Sequence, residues 1–143
     1  MMKDQVLKTI ARIITPFIQL YGIFIILNGH ISPGGGFAGG TMIGTSLILY
    51  TLVFGVDQAK RKFSEKASAF AESGGIILYI LIGVIGIVVA GHFLANKGAG
   101  FDMGTPGSLW SAGMIPLLMI AIGIKVASTF ITIFHTLIEV KDA

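Results

Sequence analysis

The chain contains no cysteine in its 143 residues, which removes disulfides, thiolate metal sites and iron–sulfur clusters from the chemistry open to it. Charge is nearly as scarce. Only 12% of residues are Asp, Glu, Lys or Arg against 54% hydrophobic, a balance that excludes an ordinary soluble domain and points to a membrane protein. The formal charge of +3 would suggest nucleic acid in a soluble chain. Here most basic residues fall in short connecting segments, where they report topology, and no nucleic-acid partner is expected. No small-residue cleavage site follows the first apolar run after Met1, Met2, Lys3 and Asp4, so a removable leader is not expected and the first span stays.

What the chain does have is long uncharged runs. None of the 44 positions between Arg12 and Asp57 is charged, about twice the roughly 20 residues a helix needs to cross the hydrocarbon core. That run reads as a hairpin whose turn is Asn28, Gly29, His30, Ser32, Pro33, Gly34, Gly35 and Gly36, giving spans at about 10–28 and 38–56. A polar segment from Asp57 to Glu72 precedes a third span at about 74–94. The turn-rich stretch from Lys97 to Leu109 precedes a fourth at about 110–137. The expected fold is an all-α integral membrane protein, one domain over residues 1–143 with four transmembrane helices. Lys3, Lys8, Arg12, Lys60, Arg61, Lys62, Lys66 and Lys141 fall on one side and Lys97 on the other. That asymmetry predicts both termini in the cytoplasm and the glycine-rich turns outside, with Trp110 as an outer interfacial anchor.

Both outer loops begin Gly-His (Gly29, His30; Gly91, His92) and close on Gly-x-Gly-Phe (Gly34 to Phe37; Gly98 to Phe101), a weak suggestion of two related hairpins. Gly34, Gly36 and Gly39 satisfy the dinucleotide fingerprint in letters, yet that motif needs a βαβ unit which this chain cannot build. Gly36, Gly40 and Gly44 recur every fourth residue. They give the start of span two either a smooth strip for a partner helix or a tight re-entry turn.

Lys125 stands alone as a charge inside a span, a placement that costs about 3 kcal/mol on insertion scales and so usually faces protein or water. At 100° per residue Ser128, Thr129, Thr132, His135, Thr136 and Glu139 lie within about 80° of it, a polar stripe running to the cytoplasmic end. Ala121, Leu118 and Met114 continue the same face outward as an apolar surface. Together they read as half of an ion or proton path, open inside and closed outside. The competing reading is snorkelling. With hydrocarbon starting at Trp110, Lys125 lies about 7 Å inside the midplane, and its stem can carry the ammonium toward the headgroups. Glu139 is too far along the helix to pair directly, so a close acidic partner would come from another helix or another subunit. His30, His92 and His135 have no second ligand at helical spacing, and no metal or cofactor is expected. Pro16 and Pro116 each remove a backbone hydrogen bond and are expected to kink their spans.

The turn and its flanks, Gly29, His30, Ile31, Ser32, Pro33, Gly34, Gly35, Gly36, Phe37, Ala38, Gly39 and Gly40, resemble the signature region of the MnhB-type small subunit of Mrp-type (Mnh, Pha) multisubunit cation/proton antiporters. Gly100, Phe101, Asp102 and Gly104 of the second outer loop also look like that family, as do the length and layout. The resemblance implies a multi-pass subunit in a bacterial inner membrane, within a complex that exchanges Na⁺ for protons through large complex-I-related subunits, with membrane lipid around it. The alternative it leaves is a homologous subunit of membrane-bound hydrogenase-type ion-translocating complexes. No catalytic residue is carried over from it. A purely structural assembly subunit differs from a transport subunit only in what Lys125 does. A membrane enzyme built around His30, His92 and Asp102 lacks a visible nucleophile and base.

Overall fold

A computed structural model describes residues 2–142, with side chains from Asp4 to Glu139. Five α-helices make up the regular structure, joined by turns and one short 3₁₀ segment, with no strand among the described residues. They are α1 (Met2–Leu27), α2 (Gly36–Phe54), α3 (Val56–Lys62), α4 (Glu65–Ala90) and α5 (Ile115–Asp142), with the 3₁₀ turn at Lys97–Ala99. Four of them, α1, α2, α4 and α5, are long and apolar enough to cross a membrane.

Glycines and caps set the helix ends. Gly34 and Gly35 have φ of 145° and 102°, a region open to glycine at no steric cost. They reverse the chain so that α2 starts at Gly36, whose N–H donates to the Met119 sulfur at 3.1 Å. Gly55, at φ 89°, separates α2 from the short α3. The Ser64 hydroxyl accepts from the Ala67 N–H at 3.2 Å and so caps α4, which ends in the left-handed Gly91. The helix limits therefore differ from those read in the sequence. The polar segment before span three is α3 plus the first two turns of α4, and Trp110 lies in the loop, five residues before α5. Pro116 is the second residue of α5, where no intrahelical hydrogen bond is lost, so the expected kink does not arise there. Pro16 is inside α1.

The helices pack in the order α1, α2, α5, α4, and a glycine thins each seam. A Cβ on Gly22 of α1 would lie 2.9 Å from the Gly39 carbonyl of α2. One on Gly40 of α2 would lie 2.7 Å from the Gly123 carbonyl of α5, and one on Gly75 of α4 would lie 2.7 Å from the Ala121 carbonyl of α5. Such close approach replaces the hydrophobic drive that lipid removes with dispersion contact. The strip on α2 thus has its partner helix, and the partner is α5 of the same chain: Gly36 meets Met119, Gly40 meets Gly123 and Val126, and Gly44 meets Phe130.

The outer loops are tied across the molecule. The Asn96 amide donates to the Ala112 carbonyl at 2.9 Å and its oxygen accepts the Met114 N–H at 3.1 Å, holding the chain as it enters α5. The His30 Nε2 lies 3.2 Å from the Ser108 carbonyl, linking the two loops. The parallel between the loops stops at their glycines, because Phe37 lies in the first turn of α2 while Phe101 lies in irregular chain. Asn96→Ala is expected to lower stability by about 1–2 kcal/mol, the cost of leaving two half-buried backbone groups without partners, read as a fall in thermal unfolding midpoint in detergent.

Candidate functional site

The polar stripe of α5 meets a matching set of side chains from α4, α3 and α2. Deepest in the span, the Lys125 ammonium lies 3.6 Å from a Glu72 carboxylate oxygen. The same oxygen accepts a hydrogen bond from the Thr129 hydroxyl at 2.8 Å. One turn toward the basic end, Ser68 and Thr132 share a hydrogen bond of 2.6 Å, and the Ser68 hydroxyl also donates to the Ser128 carbonyl at 3.2 Å. Further on, the buried His135 places Nε2 3.4 Å from the Thr51 hydroxyl of α2. At the mouth, the Lys60 ammonium bridges Glu139 and Glu65, the latter at 2.5 Å. Hydrogen bonding to Glu139 first, and to Glu65 second, holds the Lys60 ammonium well above the usual lysine range, so it stays charged at any physiological pH.

A cavity of about 200 Å³ runs along this set, lined among others by Glu65, Ser68, Glu72, Thr132, His135, Thr136 and Glu139. Beyond Lys125, away from the basic end, the seam turns apolar, with a groove of about 170 Å³ walled by Gly75, Ile76, Tyr79, Ala121 and Ile122. Ala121 is fully buried against Gly75, and Met114 is 4% exposed. Of the seven stripe residues read from the sequence, Thr132, His135, Thr136 and Glu139 line this cavity and Lys125 and Thr129 meet Glu72 at its end, whereas Ser128 turns its hydroxyl to the Ile124 carbonyl at 2.9 Å. Of the turn residues, Pro33 and Phe37 are exposed at the outer end, whereas Gly35, Gly36, Gly40 and Gly44 are buried in packing. His92 and Asp102 are exposed, and the Asp102 carboxylate accepts the Gly104 N–H at 3.0 Å.

With α5 starting at Ile115, its apolar span runs to Glu139 and is centred on Ala127. Lys125 then sits about 3 Å from the centre of that span, on the side away from the basic end, deeper than the Trp110 boundary implied. Its ammonium has Glu72 of α4 as a close acidic partner. Glu72, Ser68, Glu65, Lys60 and Thr51 also belong to the site, although the periodicity of α5 does not point to them.

Four closely packed apolar helices with a half-buried ion pair between two of them define a multi-pass membrane protein with a polar seam along α4 and α5. Residues 6–132 match the family described as a domain related to the MnhB subunit of Na⁺/H⁺ antiporter, and the chain belongs to that family. It is similar to an uncharacterised protein of Methanocaldococcus jannaschii, 37% identical over 127 residues that make up 85% of this chain and 47% of that one. It is also similar to a Na⁺/H⁺ antiporter subunit of the same type from Bacillus subtilis, 28% identical over 70% of this chain and 69% of that one. A third relative is the corresponding Na⁺/H⁺ antiporter subunit of Alkalihalophilus pseudofirmus, 31% identical over 65% and 64%. Among solved structures, a chain of the membrane-bound sulfane sulfur reductase, an archaeal respiratory membrane complex, superposes with a TM-score of 0.67 at 37% identity. The match covers 91% of this chain and 56% of that one. The chain thus spans about half the length of the archaeal relative and of the solved chain.

Proposed function

We propose that this chain is a small, non-enzymatic membrane subunit of a multisubunit Na⁺/H⁺ antiporter. In this reading its basic end faces the cytoplasm of a bacterial-type cell membrane, and large complex-I-related subunits lie beside it. Its contribution to transport is a half-path for protons or cations along the α4/α5 seam, from Glu139, Glu65 and Lys60 at the mouth to Lys125 and Glu72 at the far end. The observation that carries this is the Lys125–Glu72 pair, 3.6 Å apart within the apolar span. A carboxylate and an ammonium held together in hydrocarbon can exchange a proton between charged and neutral forms, and ionisable pairs at such depth mark ion pathways. The Thr129 hydroxyl is bonded to the pair, and the bonded hydroxyls of Ser68 and Thr132 lie one turn nearer the mouth, where bridging waters would complete the path.

The test is Na⁺-dependent proton flux in vesicles holding the assembled complex. Lys125→Ala and Glu72→Gln are each expected to reduce flux by about tenfold or more, the scale of losing a group that moves a proton. Thr136→Ala, at the exposed edge of the cavity, should be nearly silent. Flux unchanged in Lys125→Ala at every pH would remove the half-path and leave an assembly subunit.

A second reading has its own support. The identity of 37% to a chain of the sulfane sulfur reductase, over 91% of this chain, favours a subunit of an ion-translocating module coupled to electron transfer. Purified assembly whose ion movement required an electron donor would favour this reading over the antiporter.

A further inference from the structure

A second cavity opens on the opposite side of His135, between α1, α2 and α3. It measures about 150 Å³, and Arg12, Gln19, Tyr50, Thr51 and Lys62 are among the residues that line it, none of them acidic. Its two cations have aromatic faces beside them. The Arg12 guanidinium lies 5.6 Å from the Phe54 ring centre and the Lys62 ammonium 4.7 Å from that of Tyr50. Lys60, on the same short helix as Lys62, is taken up by Glu139 and Glu65 on the other side. Lys60 and Lys62 of α3 thus serve two different sites, and the lining on this side holds Arg12 and Lys62 with no carboxylate.

This basic cavity leads into a third, apolar one of about 380 Å³, with which it shares Leu47 and Phe63. The walls of the apolar crevice are Ile23, Ile26, Ile43, Ile120, Ile124 and Ala127 with their neighbours, and Ser128 is its one hydroxyl-bearing residue. From Arg12 at the basic cavity to Ile23 in the crevice is about 17 Å along α1, close to the roughly 15 Å depth of one leaflet's hydrocarbon.

We infer that this composite cleft binds one anionic phospholipid from the leaflet on the basic side. The phosphodiester is held by Arg12 and Lys62, and one acyl chain lies in the crevice. An anionic headgroup supplies the charge that the lining lacks, whereas a zwitterionic one brings an ammonium against two cations. A bound chain fills the gap where α1 and α4, separated by α2 and α5 in the packing order, leave the seams uncovered. The site abuts His135 and so ties lipid binding to the wall of the proposed half-path.

The test uses the protein in its native assembly, placed in nanodiscs of equal parts phosphatidylglycerol and phosphatidylcholine, with retained lipid read by native mass spectrometry. Phosphatidylglycerol is expected to be retained in preference. Retention should fall about tenfold in the double variant Arg12→Gln/Lys62→Gln, as removing two cations near the surface implies, and persist in Arg12→Lys/Lys62→Arg. Ile124→Trp, which narrows the crevice and leaves both cations, should lower retention as well. Millimolar inorganic phosphate should not displace the lipid. Equal retention of both lipids, retention unchanged in the double variant, or displacement by phosphate alone would overturn the assignment. So would a cysteine at position 124 cross-linking to a neighbouring polypeptide.

Discussion

Glu72→Gln is expected to destabilise the protein by about 2–3 kcal/mol, because it leaves the Lys125 ammonium without its counter-charge in the middle of an apolar span. The carboxylate is 30% and the lysine side chain 36% accessible in the isolated chain. Glu72 lines the polar cavity, and that partial exposure keeps the expected loss below the roughly 3–5 kcal/mol of breaking a fully buried pair. Glutamine keeps the shape and keeps an acceptor for the Thr129 hydroxyl, so the loss isolates the charge. Lys125→Met is expected to cost less, since Glu72 retains its bond from Thr129 at 2.8 Å. The double variant Glu72→Gln/Lys125→Met should recover to within about 1 kcal/mol of the parent, as uncharged replacements of buried pairs commonly do. Thermal unfolding of the detergent-solubilised protein measures all three. Equal losses in single and double variants would show that the two side chains do not depend on each other. The same double variant separates structure from transport: assembly that survives while flux is lost assigns the pair to the path rather than to packing.

Half of this site was legible in the chain and half was not, for a physical reason. The α5 stripe lies in one uninterrupted apolar stretch, so the 3.6-residue period exposes Lys125, Thr129, Thr132, His135 and Glu139 as one face. Its complement on α4 was hidden because residues 57–72 carry enough charge to read as a connecting loop. The signal was present in Ser64, which caps the helix at Glu65. From that start Glu65, Ser68, Glu72 and Gly75 fall at i, i+3, i+7 and i+10, a single face with the polar residues at the mouth and the glycine at the apolar end. The packing order α1, α2, α5, α4 left no trace in local pattern. Small residues mark a close seam without naming the helix that fills it, and the same holds for Thr51, whose proximity to His135 exists only once α2 lies on α5.

That limit is sharpest at the glycine strip, and Gly40→Leu is expected to be the most damaging substitution in α2. A Cβ at this position would lie 2.7 Å from the Gly123 carbonyl and 2.9 Å from the Val126 Cβ. Backbone and a β-branched side chain cannot swing aside, so α2 and α5 must separate along the strip. The expected loss is roughly 3 kcal/mol or more for leucine and about 1–2 kcal/mol for alanine, by the usual cost of overpacking. Gly74→Leu is the control, since a Cβ there meets nothing within 4 Å, and it should be close to neutral in a helix that lipid surrounds. Unfolding midpoints together with the amount of folded chain recovered from membranes report both. A Gly40→Leu protein as stable as the parent would mean that α5 does not lie on this strip. If the loss occurs as expected, the strip is consumed inside the chain and is unavailable to neighbours. Subunit contacts then have to form on surfaces the fold leaves open: the exposed apolar faces of α1, with Phe17 and Leu20, and of α4, with Phe70 and Val88. These faces border the two ends of the helix row, so neighbours seated there would flank both the α4/α5 ion pair and the α1-side basic cleft without displacing either.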